Sequence, residues 1–327
     1  MSRVRPYRDL SGRVKVNLGV AGAVALLAAA GCGDGSEDRA QEPDAAAVRI
    51  ADRFDERRAF ADLEAQVRLG PRPSGSAANR RQAGLLAAKL RRAGVRDVRI
   101  QRPHLNVVGT IPGREPGAVV IGAHHDTKDA IPGFVGANDG ASGVAVVLEL
   151  ARALPARLDG PSVRVALFDA EEARGERPFT EDGARGSAQY VRYTRDGGRQ
   201  GSPPIDALEA MVLFDLVGDC DLRIPLESNS DAPLYERFRE AAVALDPEGD
   251  GAPFEGEADA ILDDHIPFAG AGVPAVDLID FEFGPGESPG EWWHTTEDDL
   301  DRVCAESLAA VGRPALVALS AGRPARG

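Results

Sequence analysis

Brief apolar runs, too short to be helices, alternate along this chain with amphipathic helical periods, and most of the runs end in an acid or a histidine. Runs at 98–101, 107–111, 119–123, 163–168, 211–216 and 275–279 have strand length and composition. Helical periods fall at 54–68, 80–93, 144–154, 184–193, 233–245 and 305–319. Alternation of this kind specifies an α/β fold, here a three-layer α/β/α sandwich with a mostly parallel central sheet. Open α/β sheets bind ligands where their strands end, so the chemistry should sit at the strand exits.

Five exits carry candidate groups. AVVIGAHHDT ends in His124, His125 and Asp126. Side chains alternate along a strand, which puts His124 and Asp126 on one side. Asp126 could then orient the imidazole or steady the loop. In GANDGASG, Asp139 precedes a glycine that lets the backbone approach an ion closely. LFDAEEARGE places Glu171 and Glu172 after the 163–168 run, so one carboxylate can hold a metal while its neighbour faces a substrate as a base. AMVLFDLVGD ends a strand at Asp215, and EWWHTTEDD sets His294 behind Trp292 and Trp293. Each block alone has an ordinary explanation as a capped turn or a solvated helix start. Five of them at strand exits point to one site. Nitrogen and oxygen donors without thiolate suit zinc, and a catalytic zinc keeps one position open.

The series HHD, GANDGASG, DAEE, LFDLVGD, DDHIPF and WWHTTED resembles family twenty-eight of the metallopeptidases, a zinc aminopeptidase group that includes the glutaminyl-peptide cyclotransferases. LGPRPSGS at 69–76 resembles the segment that opens these zinc exopeptidase-like domains. The resemblance implies His124, Asp139, Glu172, Asp215 and His294 as metal-binding residues for one or two zinc ions, with Glu171 as general base. In a two-metal aminopeptidase Asp139 would bridge, with His124 and Asp215 on one ion and Glu172 and His294 on the other. In a cyclase one zinc would be held by Asp139, Glu172 and His294, and Asp215 would hydrogen-bond the reacting group.

DDHIPF and the Trp293–His294 pair are close to the cyclase pattern, which implies catalytic roles for Asp215 and for Asp264, the second Asp of its pair. Trp293 and Trp292, with the Gly/Pro-rich loop 283–290, are expected to wall a small pocket. GANDGASG is instead worded as in the peptidases, and Asp277 stands where animal cyclases carry a histidine. The expected substrates are peptide or protein N-termini. Cyclisation of N-terminal glutamine is the first expectation and hydrolysis of the N-terminal bond the alternative. A catalytically silent binding module is a remoter one.

Arg3, Arg5, Arg8, Arg13 and Lys15 precede the alanine-rich apolar run 16–30, which is too short to span a bilayer and reads as an export signal. LLAAAGC resembles a bacterial lipobox, which implies cleavage after residue 31, a lipid on Cys32 and anchoring to the outer face of the membrane; a plain secreted form is the alternative. A polar, acidic tether over 32–50 and a catalytic domain over 51–327 follow. The net charge of -14 repels phosphate backbones and excludes nucleic acid as a partner. Cys220 and Cys304 could pair, though free thiols are as compatible with the sequence. Cys304 is expected to face the core from the last helix.

Overall fold

Strands form here because their alternate residues have two apolar layers to enter. The computed structural model describes residues 42–286 and 288–320. Its elements in chain order are α1 (Ala45–Ala51), α2 (Glu56–Val67), α3 (Ala77–Arg92), β1 (Arg96–Ile100), β2 (Val107–Ile111), β3 (Ala118–His124), α4 (Ser142–Ala153) and β4 (Ser162–Phe168). Then come α5 (Phe179–Asp182), α6 (Arg185–Arg195), β5 (Leu208–Asp215), β6 (Leu226–Glu227), α7 (Ala232–Leu245), β7 (Glu257–Ala258), α8 (Ile266–Ala269), β8 (Ala275–Ile279) and α9 (Ala305–Ser320).

The main sheet runs β1-β2-β4-β3-β5-β8. β4, β3, β5 and β8 are parallel, while β2 is antiparallel to both β1 and β4. Neighbouring residues on one strand enter different cores. Val165, Leu167, Ile121, Val212 and Phe214 join the larger one, with α2, α3, α4, α7 and α9. Ala166, Phe168, Val120, Met211 and Leu213 join the smaller one, with Tyr190 of α6 and Phe268 of α8. Two helical layers around a mostly parallel sheet match the expected sandwich. Because β3, β4, β5 and β8 are parallel, their C-terminal ends share one edge: His124 lies opposite Phe168, and Asp215 opposite Ile279.

Two expectations need correction. The tether drawn to residue 50 ends earlier, because Asp44 caps α1 by accepting the Ala46 N–H at 2.7 Å and donates its own N–H to Ala244 O at 2.8 Å. Ala47 and Ala51 are buried, and α1 packs on α7 and α9. A run of small residues looks like linker composition, but alanine is also the best helix former and seats closely on a neighbour. The cysteines are paired, Cys220 to Cys304 with Cα atoms 5.0 Å apart, and Cys304 sits just ahead of α9 instead of on its core face. The export signal over 1–31, Cys32 and the tether up to residue 41 lie outside the described residues.

Candidate metal centre

The last residues of β3 and β5, the loops after β4 and β8, and the turn before α4 deliver the polar groups. His124 is the last residue of β3. Its Nε2 lies 3.1 Å from Asp139 Oδ1 and 3.2 Å from Asp215 Oδ1. His294 Nε2 lies 3.1 Å from Glu172 Oε1 and 3.4 Å from Asp139 Oδ2. Two groups of donor atoms result, His124–Asp139–Asp215 and Asp139–Glu172–His294, each with its atoms within 4.8 Å of one another. Asp139 belongs to both. All five residues expected around a metal are therefore together, contributed by segments far apart in sequence.

The backbone is bent to allow this. Ala170 before the glutamate pair, Leu216 after Asp215, and His294 itself have left-handed φ values of 62°, 49° and 53°. Such conformations cost about 1–3 kcal/mol each in a non-glycine residue and gather at functional sites. Gly140, at φ 86°, could carry no side chain, since a Cβ would fall 2.4 Å from Asp126 O and 3.1 Å from His124 Cε1.

The donor set fits a cation. Asp139 Oδ2 and Asp126 Oδ2 are buried without a hydrogen-bond partner, and the carboxylates outnumber the imidazoles. Buried like charges need compensation. Within the protein alone the imidazoles absorb some of it. Burial lowers the His124 pKa, but Asp215 and the neighbouring carboxylates outweigh burial and hold it well above its usual value. Glu171 is pushed well up by burial, against the pull of His124 and with further pressure from Asp263 and Glu172. Asp263 rises to about 7, chiefly by burial and then by the Asp215 charge.

Asp126 is a loop-steadying residue rather than an imidazole tie. It stands 3.8 Å from His124 Nδ1, beyond hydrogen-bond reach, while its Oδ1 accepts the Glu171 N–H at 3.1 Å. Beside the donor groups lies a cavity of about 230 Å³, walled by Glu171, Asp263, Ile279, Phe281, Trp293 and His294 among others. Trp293 stacks on His294 with ring centroids 3.8 Å apart.

The expected pocket is corrected at two adjacent-residue choices. Asp263 lines the cavity, whereas Asp264 turns inward and accepts a hydrogen bond from Ser187 Oγ. Trp292 faces away, against Phe283 and beneath the Arg302 guanidinium at 4.4 Å, with Gly284, Pro285 and Gly286 in a separate surface cleft. Phe179, Ile279, Phe281 and Lys128 were not anticipated. Phe179 lines the cavity, and Lys128 Nζ lies 3.6 Å from Glu172 Oε2. Ile279 and Phe281 could have been found, since they follow the strand-exit rule at the end of β8.

Fold and site together define a protein of the zinc exopeptidase-like class: a mostly parallel sheet with a His/carboxylate centre at the ends of its strands. The chain belongs to peptidase family M28, whose model matches residues 106–319. It is 28% identical over 241 residues to the glutaminyl-peptide cyclotransferase of Boiga irregularis, covering 64% of each protein. The chain thus spans a little under two thirds of the curated relatives it matches. It is also similar to the solved glutaminyl cyclase of Porphyromonas gingivalis, at 29% identity and TM-score 0.69, covering 82% of this chain and 98% of that one. A leucine aminopeptidase precursor from Bacteroides thetaiotaomicron is similar at 26% identity and TM-score 0.68, covering 83% and 98%.

Proposed function

We propose that the protein is a zinc-dependent enzyme acting at peptide N-termini, and that it cyclises N-terminal glutamine with release of ammonia. The cavity carries this reading. At about 230 Å³ it is smaller than the ~300–1,000 Å³ of ordinary small-molecule clefts, apolar on Ile279, Phe281 and Trp293 and acidic on Glu171, Asp215 and Asp263. Such a space suits one terminal side chain and its amine better than a length of peptide.

In this reading Asp139, Glu172 and His294 would hold one zinc, which when bound would polarise the carbonyl under attack, and Asp215 would hydrogen-bond the reacting group. Glu171 takes a proton from the substrate's α-amine. The amine nitrogen then bonds to the side-chain amide carbon, and the bond from that carbon to its amide nitrogen breaks as Glu171 hands the proton on to the departing ammonia. Asp263, whose carboxyl burial pushes up to about 7, presents a buried oxygen without a hydrogen-bond partner in the same wall. Trp293 and Phe281 restrict how the side chain lies, and orientation is most of what an intramolecular attack requires.

Hydrolysis of the N-terminal peptide bond is the second reading. It is favoured by the second donor group, His124–Asp139–Asp215, because residues able to hold a second ion would suit activation of a water, whose proton Glu171 would accept. We further read the protein as exported and held by a lipid on Cys32, a reading supported by the Cys220–Cys304 disulfide, since such bonds persist in oxidising compartments.

The test incubates purified protein and zinc with two peptides, one beginning with Gln and one with Leu, and follows the products by mass spectrometry. Loss of ammonia from the Gln peptide supports cyclisation. Release of free leucine alone would replace it with aminopeptidase action, and neither product, in a protein that also binds no zinc, would leave a binding module.

A further inference from the structure

We propose that Arg72 and Asp298 are positioning residues that grip the backbone of residues 135–139 from its carbonyls and its amides, and so fix Asp139, the carboxylate shared by both donor groups. The proposal rests on the metal-centre reading above. Arg72 lies in the LGPRPSGS segment and Asp298 four residues after His294; both are fully buried. Neither touches the cavity.

The grip is continuous along the stretch. Arg72 Nη1 donates to Val135 O at 2.6 Å and Nη2 to Gly136 O at 3.0 Å. Asp298 O accepts the Ala137 N–H at 3.4 Å, Oδ1 the Asn138 N–H at 2.6 Å and Oδ2 the Asp139 N–H at 3.0 Å. These five residues belong to no helix or strand, so their buried backbone groups have no regular partners and must be satisfied some other way. The chain is also tightly folded there: Gly136 has φ 53°, and a Cβ on it would lie 2.1 Å from Asp139 O.

Arg72 is itself tied to the β3 exit, where its N–H donates to Thr127 Oγ1 at 2.8 Å. Backbone and guanidinium of one residue thereby clasp the two ends of the single connection between β3 and α4, one near His124 and the other at Asp139. A buried guanidinium is an expensive choice unless its N–H groups are bonded, and it makes sense where a carboxylate between two imidazoles must be held within about half an ångström. Groups that orient metal ligands commonly govern metal affinity about as strongly as the ligands' own partners do.

The test compares wild type with Asp298→Asn and Arg72→Lys, each close in size to the residue replaced. Asn offers one oxygen to two amides, and Lys must serve both carbonyls from a single nitrogen on a flexible stem in place of a rigid planar fork. Zinc affinity is read by competition with a chromophoric chelator, the cobalt(II) absorption spectrum reports ligand geometry, and thermal unfolding is followed with the metal removed. The expected result is an affinity loss of about 10–100-fold and an altered cobalt spectrum in protein that remains folded without metal. Unchanged zinc affinity and spectrum in whichever variant folds would overturn the proposal. A wild type that takes up no zinc would sink the metal-centre reading, and the grip with it.

Discussion

Asp126 holds Glu171 by its backbone: Oδ1 accepts the Glu171 N–H at 3.1 Å, so the exit of β3 fixes where the β4 exit presents its first glutamate. The Glu171 carboxylate takes no part in that bond and faces the cavity.

Glu171→Gln should therefore keep its fold and its zinc while losing about 10²–10⁴-fold in turnover, the usual weight of a general base. Metal analysis beside a steady-state assay on the Gln peptide checks this. Turnover within a few-fold of wild type would remove Glu171 from the chemistry.

Asp263 and Asp264 separate the cavity wall from its support. Asp263→Asn should reduce turnover more than Asp264→Asn, since only Asp263 lines the cavity. Asp264→Asn should instead lower the melting temperature, because the buried carboxyl bonded to Ser187 is disturbed. Equal losses of turnover at equal stability would contradict the division.

Asp182 closes the loop that carries Phe179 into the cavity wall. Its carboxylate accepts hydrogen bonds from Arg174 and pairs with Arg185, and these contacts, Arg174 foremost, hold it well below the usual carboxylate range. A depressed pKa means the folded state prefers the ionised form. The stabilisation is therefore full above the unfolded value of about 4 and fades as pH falls from there towards the folded pKa. Melting temperatures of Asp182→Asn and wild type should differ by a constant amount from pH 8 to 5 and converge below about pH 4; a gap that widens in acid would refute the sign.

The disulfide joins residues 84 apart in sequence. Closing a loop of that length restricts the unfolded chain, so a Cys220→Ala/Cys304→Ala double variant should lose about 2–5 kcal/mol in urea unfolding. Reduced wild type should match the variant. If oxidised wild type matches it as well, the bond contributes nothing.

The sandwich was legible because burial writes itself into sequence as period. Val165 and Ala166 enter opposite cores, and that alternation of two needs no knowledge of partners. The meeting of His124, Asp139, Glu172, Asp215 and His294 was legible because strand exits repeat a pattern and a family resemblance ordered it. Asp263 against Asp264 and Trp292 against Trp293 were not legible. Both pairs lie in turns outside any strand, where no period says which neighbour faces in. Arg72 and Asp298 escaped notice because they serve the backbone of a loop, and a backbone partner leaves no pattern in side-chain chemistry. Likewise α1 was hidden by composition, since alanine describes a linker and a docked helix equally well.

The bridging carboxylate has a consequence for how this molecule comes to life. Glu172 and His294 reach Asp139 from positions 122 residues apart in sequence, so the Asp139–Glu172–His294 donor group needs the segment before α9 as well as the β4 exit. A chain broken off before that segment can therefore acquire most of its helices and sheet, and even the His124–Asp139–Asp215 group, while lacking the other one. That donor group is complete only when the segment carrying His294 has docked against the β4 exit, so its formation reports closure of nearly the whole domain.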